Sequence, residues 1–321
     1  GDLRPDAGRT IHCRDPRHGA GKAAERYPIT ANGRAMIHRH SPAHPLPVIG
    51  LLLGVLLLAS SGLMASEPAA SPSPTAVPGG IYRWSLPDGA TDLRFNTRPV
   101  LIRGAEALVG LPLRQPLRPA DITYRLDDQT RSHAFEVSDK AYSEQHITLK
   151  NREMVNPNPE QLARIRRESS RQRALYLTFS DRTPPQNGFL RPLEGPVSSL
   201  FGHRRFFNGE PRNPHSGLDI AAPTGAEIRA PADAEVTLVD HLYYNGKTIF
   251  LDHGQGLITM YCHLSEPLVN EGETVQQGQV IGLVGATGRV TGPHLHWSVS
   301  LNGYRVDPQS MMSMLVPGDA D

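Results

Sequence analysis

Three histidine-bearing segments stand out in the C-terminal half of the chain: His215-Ser-Gly-Leu-Asp219, Tyr261-Cys-His263-Leu-Ser265 and Pro293-His294-Leu-His296-Trp297. On a β-strand, residues i and i+2 share a face, so His294 and His296 project side by side, about 7 Å apart at the backbone. By the same parity Leu295 and Trp297 turn towards a core. Histidine is costly to bury without partners, and a purely structural strand has no need of a matched pair. Zinc binds imidazole nitrogen and carboxylate oxygen, and its catalytic sites use three protein ligands with the fourth position left to water. His215, Asp219 and one histidine of the pair supply such a set. Metal-bound water becomes a nucleophile near neutral pH. The remaining histidines suit proton transfer to a leaving amine or support of an oxyanion. Each motif alone is weak, since His-x-His, His-x-x-x-Asp and an isolated histidine all occur in ordinary structure. Their combination in one segment carries the inference.

The elements that must position these residues are mostly β. Residues 189–312 read as a β domain. Within it, apolar runs on either side of Asn245-Gly246 predict a hairpin, with the Asn-Gly pair suited to a type I′ turn. Leu257 to His263 predicts a third strand, Gly272 to Gly282 a short strand–turn unit, and His294 to Leu301 a final strand closed by Asn302-Gly303. Residues 81–150 predict a small N-terminal β domain without a cluster of His, Cys or carboxylates, hence a scaffold. Residues 151–188 form a helical connector and linker. Asn158-Pro159-Glu160 marks the helix start, with Asn158 as N-cap and Pro159 in the first turn. Residues 66–80, rich in Pro, Ala and Ser, predict a flexible linker, and residues 313–321 a tail.

The segments Pro214-His-Ser-Gly-Leu-Asp-Ile220, Asp252-His-Gly254, Tyr261-Cys-His-Leu-Ser265 and Gly292-Pro-His-Leu-His-Trp297 together resemble the lysostaphin-type (LytM) zinc metallopeptidases. The resemblance runs from about Pro196 to Pro308. It implies a compact antiparallel β fold with an open groove, and one Zn2+ held by His215, Asp219 and His296. It implies His263 and His294 as catalytic histidines that do not bind the metal. It also implies hydrolysis of peptide bonds in peptidoglycan cross-links or stem peptides, as in cell-wall remodelling. The N-terminal β domain resembles, more loosely, the one preceding the catalytic unit in some envelope members. Arg212 and Asn213, just upstream of His215, and Tyr261 are candidates for contacting substrate. A regulatory envelope protein is an expected partner class. Oligomeric state is open.

Composition bounds these readings. With 33 Lys+Arg against 32 Asp+Glu and a net charge of +1, the chain lacks the broad basic field of a nucleic-acid-binding protein. Met36-Ile-His-Arg-His, the apolar run Val48 to Ala59 and the small residues after it have the three parts of a secretory signal. We therefore expect 36–65 to be a signal peptide or an uncleaved membrane anchor, and 1–35 an unfolded upstream extension. Either reading places the remainder in the periplasm or cell envelope. Cys13 and Cys262 lie on opposite sides of this signal, so no disulfide is expected. Cys262, next to His263 on a strand, is expected to be a buried small hydrophobe pointing away from the site. His253 is expected to be structural.

Two other functions are weighed. A non-catalytic wall-binding regulator of this fold would have lost metal ligands, and all are kept. A lipoyl or biotinyl carrier, suggested by the hairpin unit at Gly272 to Gly282, needs a lysine at a hairpin tip, and no Lys follows Lys247. A latent enzyme, with the first domain covering the groove, is a further expectation from domain order alone.

Overall fold

The structure, a computed structural model, describes residues 76–148 and 156–315. The expected extension, signal or anchor, most of the linker and most of the tail lie outside the described residues. No helix among the described residues is long and apolar enough to cross a membrane.

The N-terminal part contains β1 (Ile81–Ser85), β2 (Thr91–Phe95), β3 (Arg98–Pro99), β4 (Leu101–Arg103), β5 (Glu106–Gly110), β6 (Ala120–Leu126), β7 (Gln129–Phe135) and β8 (Glu144–Ile147). Strand β8 joins a sheet with later strands, and the first seven form a three-stranded sheet, β1-β5-β4, and a four-stranded one, β3-β2-β6-β7. An aromatic stack joins them, with Tyr82 on Phe135 and Trp84 on His133.

Helix α1 (Pro159–Tyr176) follows. Asn158 caps it as expected. Its side-chain oxygen accepts from the Gln161 amide at 2.9 Å while the Gln161 side chain accepts from the Asn158 amide, a reciprocal capping box. Polar along most of its length, the helix has Tyr176 as its buried residue.

Next come β9 (Val197–Ser199), β10 (Arg204–Phe207), β11 (Glu210–Pro211), β12 (Leu218–Ala221), β13 (Glu227–Arg229), β14 (Ala234–Leu242) and β15 (Gly246–Asp252). The chain continues through β16 (Ile258–Leu264), β17 (Glu266–Pro267), β18 (Thr274–Val275), β19 (Val280–Leu283), β20 (His294–Leu301), β21 (Tyr304–Val306) and α2 (Pro308–Met314). The main sheet has the order β18-β14-β15-β16-β20-β12-β9, with β21 added beside β20, and a small sheet β13-β19-β17 flanks it. Every main-sheet pairing is antiparallel.

Strands β15 and β16 are buried along nearly their whole length because both sheet faces are covered. On one face Ile249, Leu251, Tyr261, Leu295 and Trp297 join the largest core cluster. On the other, Phe250, Met260 and Cys262 pack with Tyr176 of α1. Burying a side chain of this size is worth ~1.5–3 kcal/mol, so β15, β16 and β20 are the rigid base on which the site is built.

Three expectations need correction. First, the linker does not reach residue 80. Ala76 is buried and bridges Val137, and the Gly79 amide donates to the Pro112 carbonyl. A Pro/Ser/Ala-rich composition reports low propensity for regular structure, and these residues find backbone partners without it. Second, the two β domains are not separate. Ile81, Leu101 and Leu108 belong to the core of the second. Strand β8 pairs in parallel with β10, and Asn302 hydrogen-bonds both backbone groups of Gly110. All described residues fall in one compact unit. Third, the hairpin turn is longer than type I′. Leu242 pairs with Gly246 across a three-residue loop, Tyr243 to Asn245, and among these loop residues and Gly246 only Gly246 has positive φ. The tip is packed rather than free. A Cβ on Gly246 would collide with Thr287.

Candidate active site

Strands β12 and β20 pair so that Asp219 lies opposite His296, Leu218 opposite Trp297 and Ile220 opposite Leu295. Alternation then puts Asp219 and His296 on one face and the four apolar residues in the core, each with no exposed surface. His215 reaches the same face through the Ser216-Gly217 turn. A side chain at Gly217 would meet the Trp297 carbonyl at 2.5 Å and the Ser298 hydroxyl at 2.7 Å, which explains a glycine inside the His-x-x-x-Asp motif.

Among the described residues, His215, Asp219 and His296 form a group able to share one ion. His215 Nε2 is 2.9 Å from Asp219 Oδ1, His296 Nδ1 is 2.7 Å from the same oxygen, and the two nitrogens are 3.0 Å apart. A triangle of this size suits zinc, whose bonds to nitrogen and oxygen are ~2.0–2.2 Å. The outer atoms are committed elsewhere. His215 Nδ1 donates to the Leu200 carbonyl at 2.7 Å. The Ser298 hydroxyl donates to the Ser216 carbonyl and accepts from His296 Nε2 at 3.0 Å. Arg205 Nη2 donates to Asp219 Oδ2 at 2.9 Å. These bonds select the tautomers that leave one lone pair per histidine facing the triangle, the usual support of a metal ligand.

Electrostatics agree. Burial drives His296 down to about 4 and also lowers His215. Burial works to raise Asp219, yet the two imidazoles at its carboxylate hold it well below the usual carboxylate range. Neutral imidazoles beside an ionised carboxylate are the protonation states a zinc ion requires. The donor set therefore fits the metal.

His263 and His294 stand beside this triangle, their rings 4.9 Å apart, with His263 6.1 Å from His296. His294 Nδ1 donates to the Gly292 carbonyl, leaving Nε2 4.0 Å from Asp219 Oδ1. His263 Nδ1 donates to the Thr287 carbonyl at 2.8 Å. Burial, with the neighbouring His296 and His294, pushes His263 down to about 3.

His263 gets there by an irregularity. Ile249 pairs with Tyr261 and Lys247 with Leu264, so both Cys262 and His263 face Thr248, a β-bulge, and His263 has φ 65°. Two expectations are corrected by it. Cys262, paired with His296, lines the groove floor on the site's face instead of pointing away. It is nonetheless a buried hydrophobe, its thiol pushed up by burial. Tyr261 follows the regular alternation into the core opposite Trp297, where its hydroxyl donates to Thr259, so it cannot contact substrate.

Arg212 and Asn213 do line the groove, which encloses about 1040 Å³ between the main sheet, α1 and the N-terminal strands. His253 is fully buried, donating to the Asp233 carbonyl and accepting from Thr259. Sequence reasoning missed Ser298, although the parity that links His294 to His296 extends to it. It also missed Arg205, which reaches Asp219 from a strand whose placement no local pattern announces.

The sequence profile of peptidase family M23 matches residues 213–308. Peptidoglycan DD-endopeptidase ShyC of Vibrio cholerae is 42% identical over 130 residues, covering 39% of this chain and 30% of that protein. DD-carboxypeptidase/endopeptidase Mpg of Neisseria meningitidis is 42% identical over 115 residues, 36% of this chain and 26% of that protein. The chain thus matches less than a third of the length of these curated relatives. A crystal structure of a peptidase M23 from Pseudomonas aeruginosa superposes with a TM-score of 0.63 at 39% identity, covering 75% of this chain and 96% of that one. Nearly the whole of that solved peptidase is matched, and the histidine segments all lie within the 213–308 span: the chain belongs to peptidase family M23.

Proposed function

We propose that this protein is a zinc-dependent endopeptidase of the cell envelope that hydrolyses peptide bonds in peptidoglycan cross-links or stem peptides. One observation carries the reading. Three converging donors have their outer atoms tied off, and two further histidines stand within one ring's reach of them, in an open groove. The peptidoglycan peptidases among its relatives support the substrate class.

His215 Nε2, Asp219 Oδ1 and His296 Nδ1 would hold the metal. A zinc ion bound there acidifies water and polarises a carbonyl. The protein's own residues supply the rest. With their Nδ1 protons given to backbone carbonyls, His263 and His294 present Nε2 lone pairs to the groove. From there they take the proton of the attacking water and return it to the leaving amine, with His263 held neutral by its burial. While protonated, either donates to the oxyanion. Burial of the ligands excludes bulk water and strengthens these interactions.

The test is digestion of purified sacculi by the zinc-loaded chain, with the new termini identified by mass spectrometry. Release of peptides with new amino and carboxyl ends, abolished by a chelator and restored by zinc, is expected. Intact sacculi at one bound zinc per chain would sink the reading and favour a wall-binding regulator.

A further inference from the structure

The metal side of the groove is supported from a part of the chain that supplies none of its three donors. Strand β8 lies parallel to β10, with Gln145 opposite Arg205. The flanking pairs turn to the other face and fix that register. Glu144 meets the Arg204 guanidinium at 3.2 Å, and the His146 ring stacks on Phe206 with centres 4.6 Å apart. A slip of one residue would carry Gln145 to that outer face. As paired, it lines the groove beside Arg205.

There a single atom, Gln145 Oε1, accepts two hydrogen bonds, one from Arg205 Nε and one from the Ser199 hydroxyl, each at 3.1 Å. Arg205 Nε can only donate, so the amide oxygen and not its nitrogen faces it. Both donors lead on to a residue of the triangle. Nη2 of the same guanidinium reaches Asp219 Oδ2 at 2.9 Å. The Ser199 oxygen, its proton given to Gln145, stands 3.0 Å from His215 Nδ1. Its remaining neighbours, Arg205 Nη2 and His203 Nδ1, are farther off at 3.4 Å.

The Leu200 carbonyl already takes the His215 proton, so what Gln145 decides by itself is the direction of Arg205. That side chain is only 17% exposed, and a buried guanidinium stripped of an acceptor turns to find another. With Nε held by Gln145, Nη2 stays on Oδ2 and leaves Oδ1 to the ion.

We propose that Gln145 is a positioning residue of the metal site, acting through Arg205 to make Asp219 a one-oxygen ligand. The N-terminal part thereby contributes to zinc affinity, which depends on the docking of β8 against β10. The inference rests on the zinc reading above and not on hydrolysis.

Competitive chelator titration of the full chain tests it, with zinc affinity as the readout. Gln145→Leu, similar in size and without the acceptor, should bind zinc about 10- to 100-fold more weakly, the usual loss when an outer partner of a ligand is removed. In an Arg205→Met background the same change should cost at most ~3-fold more, because the residue it acts through is gone. Zinc bound equally by the parent and Gln145→Leu overturns the proposal. So does an equal loss in both backgrounds, which would leave Gln145 only the task of holding β8 in place.

Urea midpoints of the metal-free forms show whether each variant folds, and Gln145→Glu decides the matter if the leucine variant does not. A carboxylate accepts both bonds, so this variant should stay within ~3-fold of the parent. A loss as large as 10-fold in it overturns the proposal. A parent that binds no zinc removes the metal reading and this proposal together. The expected pattern of affinities, with sacculi left intact by the zinc-loaded parent, supports Gln145 and removes the peptidase.

Discussion

The two sides of the groove floor hold their histidines in different ways. On the metal side, His215 is anchored by the Leu200 carbonyl and His296 by Ser298, itself tied to Ser216, and Arg205 grips the shared carboxylate. Those groups sit on or against β12 and β20, whose opposite faces are core. On the other side, His263 and His294 hang from carbonyls of one loop, Thr287 and Gly292, and His263 depends on a bulge. One side is built to fix lone pairs on a point. The other sets two bases at a distance from it. The difference teaches that metal affinity and proton transfer rest on separate supports, and should fail separately.

The largest effect should come from cutting each side once. His296→Ala should lose both zinc and activity, whereas His263→Ala should keep one zinc per chain while kcat falls ~10²–10⁴-fold, the range of general acid–base catalysis. Zinc analysis beside kinetics checks this, and loss of metal from His263→Ala would erase the distinction. Removing only a support should do less. Ser298→Ala frees His296 to adopt the wrong tautomer and should weaken zinc ~10–100-fold. Excess zinc should restore its activity, and a competitive chelator titration measures the shift.

The smallest effect belongs to a histidine bonded in the same style but outside the groove. Burial drives His253 down to about 4, below the ordinary 6.5. The unfolded chain therefore binds this proton first, and the stability from keeping His253 neutral, complete above pH 6.5, declines as pH falls towards 4. The decline is of order 2–3 kcal/mol. Urea midpoints of the parent and His253→Gln should converge between pH 7.5 and pH 4.5. A gap independent of pH would mean that burial alone does not hold a histidine neutral in this fold.

Much of the site could be read residue by residue. The facing pair His294 and His296, with Leu295 and Trp297 behind them, follows from strand parity, a consequence of covalent geometry that needs no partner. The Asn158 cap is equally local. The preference for His296 over His294 in the metal set is different in kind. It came from family resemblance, and the structure brings His296 Nδ1 to 2.7 Å from Asp219 Oδ1 while His294 Nε2 stands at 4.0 Å.

What parity could not deliver lies wherever strands distant in sequence meet. The bulge opposite Thr248 exists only through the register of β15 against β16, and it exchanges the expected directions of Cys262 and Tyr261. Arg205 reaches Asp219 because β10 is held by β8 from the N-terminal part, which the sequence presents as a separate domain. Arg289 is seated by two rings from different segments, Phe207 and Tyr244. Side-chain direction along one strand is set by the chain's own dihedrals, so sequence alone determined the proposed zinc-facing histidine strand. Cross-strand register, bulges and the company a charge keeps depend on packing free energies summed over the whole core. Those only the tertiary structure decided.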